Sequence, residues 1–394
     1  MKNISISILS TVIRVLLSVG IVVIFSHSLS FSIFTYYVIG SLAAQILGIF
    51  IDAGVNNEIM RFARTEEDSL SNERLMSTSS VRLVLVTIVS LCSLIYIVTI
   101  DGCQNRMVFF SSLLSGLLTS IVETYLINLK AKNKFKEELQ IVILQSFTVI
   151  AFSMLSFIGS WSYVIAILIP RLLFFIYLYF IRGDLFIYLK TACLSLTSCT
   201  NSIKNYYVKL KYYSLDSIFT NINLQMDALL ISFLFGREIL AIYQPLSRLY
   251  MSCISLSSAI ASFAIPLASQ IDVKMKRILI LFFAFFISGL IISAGYYTLS
   301  GYIVEFIFGE GFSSDVVVVA LFSFLILMRY TSASLGASLM LLGFQKYRAN
   351  VNLITTAVCC LLTVFMANSA PFVIGFVNLS QIVIFSLYLY KLKR

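Results

Sequence analysis

Residues 274–299 read KMKRILILFFAFFISGLIISAGYYTL. Three cations, Lys274, Lys276 and Arg277, stand immediately before 22 residues, 278–299, that carry no charged side chain. A helix rises 1.5 Å per residue, so this run matches the roughly 30 Å hydrocarbon core of a bilayer. Basic residues beside such a run mark the cytoplasmic end of a transmembrane helix.

The pattern recurs along the chain. Runs of suitable length fall at 4–25, 34–56, 81–100, 107–128, 139–159, 161–181, 213–235, 240–268, 278–299, 316–342, 350–368 and 371–390. Hydrophobic residues make up 59% of the sequence and charged residues 12%, about half the charge fraction of a soluble domain. A β-barrel would show short strands of alternating polarity between turns, and the long apolar runs exclude it. The chain reads as an all-α polytopic membrane protein with about twelve transmembrane helices. Residues 1–25 have the lysine and apolar stretch of a signal peptide. Arg14 interrupts that stretch, and no small-residue cleavage pattern follows, so it reads as the first span.

The distribution of charge tests the count. With both termini placed in the cytoplasm, 22 of the 28 Lys and Arg residues fall on inner segments. Only Arg106 and Arg237 fall outside, and Arg14, Arg171, Arg248 and Arg329 lie within spans. One span more or fewer would invert every later loop and destroy this asymmetry. The net charge of +10 thus reports orientation and gives no reason to expect nucleic acid.

The longest connection after the sixth span divides the chain into an N-terminal six-helix lobe (1–182), an inter-lobe linker (183–212) and a C-terminal six-helix lobe (213–394). Both lobes start inside, so any repeat would be parallel, although no strong sequence repeat is visible. Segment 184–200 fits either an interfacial amphipathic helix or a plain linker. The seven cysteines have no metal-ligand spacing and His27 has no partner motif, so neither a metal site nor a disulfide framework is expected. No P-loop and no histidine-based triad is present, and no catalytic residue or cofactor is expected.

The spans carry polar stripes at steps of three or four residues, which place each set on one helical face. Examples are Ser10, Arg14 and Ser18; Ser41, Gln45, Gly48 and Asp52; Ser112, Gly116, Thr119 and Glu123; Asp216, Thr220, Asn223 and Asp227; and Gln244, Arg248, Ser252 and Ser255. Serine and threonine in such stripes often bond neighbouring helices together. A charge at mid-membrane costs about 2.5–3.5 kcal/mol even on the lenient insertion scale. Arg14, Arg171, Arg248 and Arg329 therefore either face a watery, substrate-lined passage or pair with Asp52, Glu123 and Asp227. Intramembrane charges usually mark pathways, which favours the first reading. A cavity lined by these four cations would suit an anionic ligand, because guanidinium pairs well with phosphate oxygens.

Five stretches carry a family resemblance: FIDAGVNNEIMRFAR (50–64), LKAKNKFKEELQIVI (129–143), LQMDALLISFLFGREILAIYQPLSRL (224–249), FIFGEGFSSD (306–315) and LLGFQKYRANVN (341–352). The third, with Asp227, Gly236, Tyr243 and Arg248 in order, is the closest. Together they resemble the O-antigen repeat-unit flippases (Wzx type) of the multidrug/oligosaccharidyl-lipid/polysaccharide (MOP) exporter superfamily. The resemblance implies two six-helix lobes around a central cavity in the bacterial cell inner membrane. It further implies export of an undecaprenyl-diphosphate-linked oligosaccharide by ion-coupled alternating access, with membrane lipids, a polysaccharide polymerase and a chain-length regulator as partners.

On this reading Arg14, Arg171, Arg248 and Arg329 bind substrate, although only Arg248 falls in a matching motif. Asp52, Glu123 and Asp227 are then candidates for ion coupling. A drug or metabolite exporter of the same MATE-like fold is the first alternative, and would call for a negatively charged cavity. A membrane-embedded polysaccharide polymerase is the second, and the absence of an outer loop beyond about 16 residues weighs against it.

Overall fold

A computed structural model describes residues 2–52, 102–131, 134–158, 162–180, 200–269, 274–309 and 315–393. The expected third span and segment 184–199 lie outside the described residues. Within them the chain forms eleven α-helices and no strand. They are α1 (Lys2–Ser28), α2 (Phe31–Asp52), α3 (Cys103–Ala131), α4 (Phe135–Ser153), α5 (Ser162–Phe180) and α6 (Thr200–Leu224). The others are α7 (Met226–Ser269), α8 (Lys274–Phe308), α9 (Val316–Leu341), α10 (Gln345–Met366) and α11 (Ala370–Lys393). A short 3₁₀ turn, Met154–Phe157, extends α4. Seven of these helices are long and apolar enough to cross a membrane.

Two compact units are present, Ser28–Ile218 and the pair of segments Met1–His27 and Phe219–Arg394. In the first, small residues let α2 and α3 approach closely. A Cβ at Gly116 would fall 2.4 Å from the Ala44 side chain, and one at Gly40 would fall 2.7 Å from the Phe109 carbonyl oxygen. Dispersion between close backbones is what drives helix association in lipid, where no hydrophobic effect operates. Gly116→Val is expected to force the helices apart and cost about 1–3 kcal/mol, read as a lowered unfolding midpoint in detergent. On α4 the pattern of a soluble protein is inverted. Glu138, Gln145, Ser146 and Ser153 are buried, whereas Phe147 is 73% exposed in company with Ile143 and Phe157. An apolar exterior is the natural outcome when lipid is the solvent.

In the second unit α8 and α9 are joined by a reciprocal serine pair. Ser293 Oγ donates to the Ser323 carbonyl at 2.7 Å and Ser323 Oγ to the Ser293 carbonyl at 2.9 Å. The Tyr296 hydroxyl donates to the Leu246 carbonyl (3.0 Å) and the Tyr330 hydroxyl to the Cys253 carbonyl (2.7 Å), tying both helices to α7. Asn378 Nδ2 donates to the Leu321 carbonyl at 3.0 Å and fastens α11 to α9. Such bonds hold well in lipid because water does not compete for the partners.

Helix boundaries depart from the hydropathy expectation in an instructive way. The expected linker is already helical from Thr200, and α8 runs through Phe308 where an outer loop was expected to begin at 300. Hydropathy detects the part of a helix that lies in hydrocarbon, and a helix continues into water wherever its polar residues still favour helix. The seventh and eighth expected spans are divided at Gly236, whose φ of 85° and ψ of 176° belong to a region open almost only to glycine. No atom lies within 4 Å of where its Cβ would be, so the cost of Gly236→Ala is conformational. That cost is expected to be about 1–3 kcal/mol, again visible as a lowered midpoint.

Candidate functional site

The seventh expected span contains a second break, at Gln225, which has turn rather than helical geometry. Its N–H reaches back to the Asn221 and Ile222 carbonyls, and α6 stops at Leu224 while α7 begins at Met226. Carbonyls at the end of a helix lack intrahelical partners and carry partial negative charge. Asn223 lies in that last turn. Its main-chain oxygen accepts a hydrogen bond from Arg329 Nη2, at 2.5 Å. Asp227 lies in the first turn of the next helix, a position where a carboxylate is favoured. The two sides of the break thus present a carbonyl, bonded by Arg329 from α9, and a carboxylate that has Arg329 as an electrostatic neighbour.

Around this centre the polar groups interlock. Gln381 Nε2 on α11 donates to Asn223 Oδ1 at 2.9 Å, and Ser332 Oγ donates to Gln381 Oε1 at 3.3 Å. Ser247 Oγ approaches Asp227 Oδ2 at 3.5 Å, at the limit of a hydrogen bond. The Arg329 guanidinium carbon stands 5.9 Å from the centre of the Tyr250 ring, a cation–π distance. Asp227 is 2% exposed and Arg329 7%. Nearer one end of the same unit, the Tyr388 hydroxyl donates to Asn352 Oδ1 (2.9 Å), and Asn352 Nδ2 donates to Thr220 Oγ1 (3.0 Å). Thr220 lies one turn before Asn223, so the two networks share α6.

The first unit holds a second cation–acid grouping. Arg171, one residue after Pro170 within α5, lies near Tyr37 of α2 and has Glu123 of α3 as a favourable electrostatic neighbour. Tyr37 is buried, Arg171 half-buried and Glu123 exposed. Proline in a helix interior removes a hydrogen bond to the preceding turn and loosens the backbone there. Arg14 on α1 and Arg248 on α7 are half-buried. Asp52 is the last residue of α2, and its side chain lies outside the described atoms.

The four arginines are therefore not one cluster within either unit. Arg329 has Asp227, and Arg171 has Glu123, as an electrostatic neighbour, and the one direct bond is from Arg329 to the Asn223 carbonyl. Many serines of the polar stripes bond back to their own helix rather than across to a neighbour. Ser18 donates to Val15, Ser252 to Arg248 and Thr119 to Ser115, all at 2.8–2.9 Å. Gln381, Ser332, Tyr250 and the Asn352–Tyr388 pair were not singled out in the sequence. One signal for them was available on α10, where Gln345, Asn352, Thr356, Cys359 and Thr363 line a buried face at helical spacing. Among the described residues no group of acids, histidines and cysteines is placed to hold a metal ion.

Three solved structures share this arrangement of helices over nearly the whole chain. The lipid II flippase MurJ in its inward closed conformation matches with a TM-score of 0.68 and 16% identity, over 98% of this chain and 87% of that one. A MATE structure in complex with MaL6 matches at 0.62 and 13%, over 100% and 96%. A MOP superfamily transporter from Pyrococcus furiosus, described by a binding pocket of reverse polarity, matches at 0.58 and 11%, over 100% and 96%. The fold is that of the MATE and MurJ transporters. No family model matches the sequence, and no curated protein matches it. The likeness establishes the fold, and at these identities it extends no further.

Proposed function

We propose that the protein is a flippase for a lipid-linked oligosaccharide. It moves an undecaprenyl-diphosphate-linked repeat unit of the O-antigen kind from the cytoplasmic to the periplasmic leaflet of a bacterial inner membrane. The observation that carries this reading is the set of half-buried guanidinium groups, Arg14, Arg171 and Arg248, within apolar helices. Guanidinium offers paired N–H donors that match phosphate oxygens, and a desolvated site strengthens such bonds. Arg329, expected beside them, bonds the Asn223 carbonyl in the interior of its own unit. The shared fold with a protein described as a lipid II flippase supports a lipid-linked substrate. On this reading alternating access exposes the sugar to either side while the polyprenyl chain stays in lipid. An ion gradient drives the cycle through one of the acids, and the exposed Glu123 beside Arg171 is the most accessible of those described.

The likeness to MATE transporters favours a second reading, export of a small molecule by the same fold. A site for organic cations needs acids that lack a cationic neighbour, whereas Asp227 and Glu123 each face an arginine. The two readings separate in one strain lacking its own repeat-unit flippase. The flippase reading expects surface polysaccharide to return on expression of this chain, with no gain of resistance to cationic dyes. Resistance without polysaccharide would select the exporter.

A further inference from the structure

Leu339 of α9, Val351 of α10 and Leu392 of α11 lie buried in one apolar cluster, and Ile278 of α8 with Phe344 and Tyr347 of α10 pack against it. That cluster gathers one end of four helices, and the residues beside it in sequence are basic. Arg277 precedes Ile278, Lys346 stands between Phe344 and Tyr347, and Lys391 and Lys393 flank Leu392. Lys276, Lys346 and Lys393 are exposed. Lys391 is half-buried, its Nζ 4.6 Å from the centre of the Phe344 ring and 5.6 Å from that of Tyr347, so two aromatic faces hold the ammonium. The Tyr347 hydroxyl donates to the Leu387 carbonyl at 3.0 Å, which fixes that ring to α11. α10 begins at this end without a side-chain cap, and its N-terminal dipole adds positive charge.

The helices that carry these cations are almost without acids. Residues 316–393 contain no Asp or Glu, and the one acid of α8, Glu305, lies about 42 Å along the helix from Arg277. The first unit shows the contrast. There Lys134 and Lys136 are followed by Glu137 and Glu138, and Lys134 Nζ lies 3.6 Å from Glu137 Oε1. Orientation in a membrane is set by Lys and Arg and is nearly indifferent to acids. A rim cleared of acids therefore exceeds what orientation requires, and it suits a negatively charged ligand held at the membrane surface. We infer that the basic rim of α8, α10 and α11 binds the headgroup of an anionic phospholipid. Lys276, Lys346 and Lys393 take the phosphate, and the acyl chains lie on exposed apolar residues beside them, Met275 of α8 and Leu389 of α11. The inference needs only that the chain spans a membrane, and it is independent of the transported substrate.

Purified full-length protein in neutral detergent is unfolded thermally with increasing phosphatidylglycerol or phosphatidylcholine. Wild type is expected to gain on the order of 5 °C, saturably, with phosphatidylglycerol and little with phosphatidylcholine. The triple variant Lys276→Gln/Lys346→Gln/Lys393→Gln is expected to need on the order of 100-fold more phosphatidylglycerol for half of that gain. Lys134→Gln/Lys136→Gln, in the first unit, is expected to leave the response unchanged. Equal responses to the two lipids would overturn the inference, as would an unaltered response in the triple variant or an equal loss in the first-unit variant. The same rise from inorganic phosphate without lipid would also overturn it, since the ligand would then be a soluble anion. If the triple variant does not fold, Lys276→Gln/Lys393→Gln decides. A requirement raised at least tenfold supports the inference, and an unchanged one contradicts it.

Discussion

Arg329→Ala is expected to be the most damaging single substitution in the second unit, lowering stability by about 1.5–3 kcal/mol through loss of a buried charged hydrogen bond. Part of the cost arises because Asp227, only 2% exposed, loses a favourable electrostatic neighbour. The Asn223 carbonyl at the end of α6 loses its donor in the same step. Arg329→Lys should recover part of the loss, since the charge remains while the planar donor set and the stacking on Tyr250 do not. Asp227→Asn in the Arg329→Ala background should recover more, because two neutral partners leave no charge buried alone. Equilibrium unfolding of the four proteins forms a double-mutant cycle, and the expected coupling lies at the upper end of 0.5–3 kcal/mol. Additive effects would show that the two residues do not act as a pair.

Arg171→Ala is expected to leave the fold intact and weaken export. Arg171 is half-buried beside Pro170, and its partner Glu123 is exposed, so removal strands no charge in the interior. A charge-assisted hydrogen bond to phosphate is worth about 1.5–3 kcal/mol, or roughly 10- to 100-fold in half-saturating lipid concentration. Arg14→Ala should behave similarly. Surface polysaccharide at equal protein level measures both. Wild-type levels in both variants would remove these arginines from the substrate path.

Much of the fold was legible because the bilayer imposes it. The 22 uncharged residues at 278–299 with Lys274, Lys276 and Arg277 before them could be little else than a spanning helix. Helix ends were less legible, since Thr200–Tyr212 is helical but polar, and Ser300–Phe308 carries Glu305 within an otherwise apolar stretch. Gly236 stood within the seventh-to-eighth motif, and its positive φ gives the physical reason for a glycine there.

The site was legible by kind and not by pairing. Each charged residue in a span was visible as an anomaly of composition. Which acid meets which arginine depends on helix rotation and neighbour identity, and hydropathy carries neither. Asn223 and Arg329 meet because α6 breaks at Gln225 and turns a carbonyl toward α9, an event with no proline or glycine to announce it. Gln381 was passed over because a lone amide in an apolar run is a weak signal. Its importance comes from the two bonds that fix Asn223 and Ser332.

The central claim is transport of a diphosphate-linked lipid, and purified protein in liposomes tests it most directly. Undecaprenyl-diphosphate-linked oligosaccharide is placed in both leaflets, and its accessibility to an impermeant sugar-oxidising reagent is followed after an ion gradient is imposed. The account predicts that wild type makes the protected fraction accessible, and that Arg171→Ala slows this at least tenfold at low lipid concentration. Protein that leaves the lipid where it was, yet drives cationic dyes across the same membrane, would contradict it.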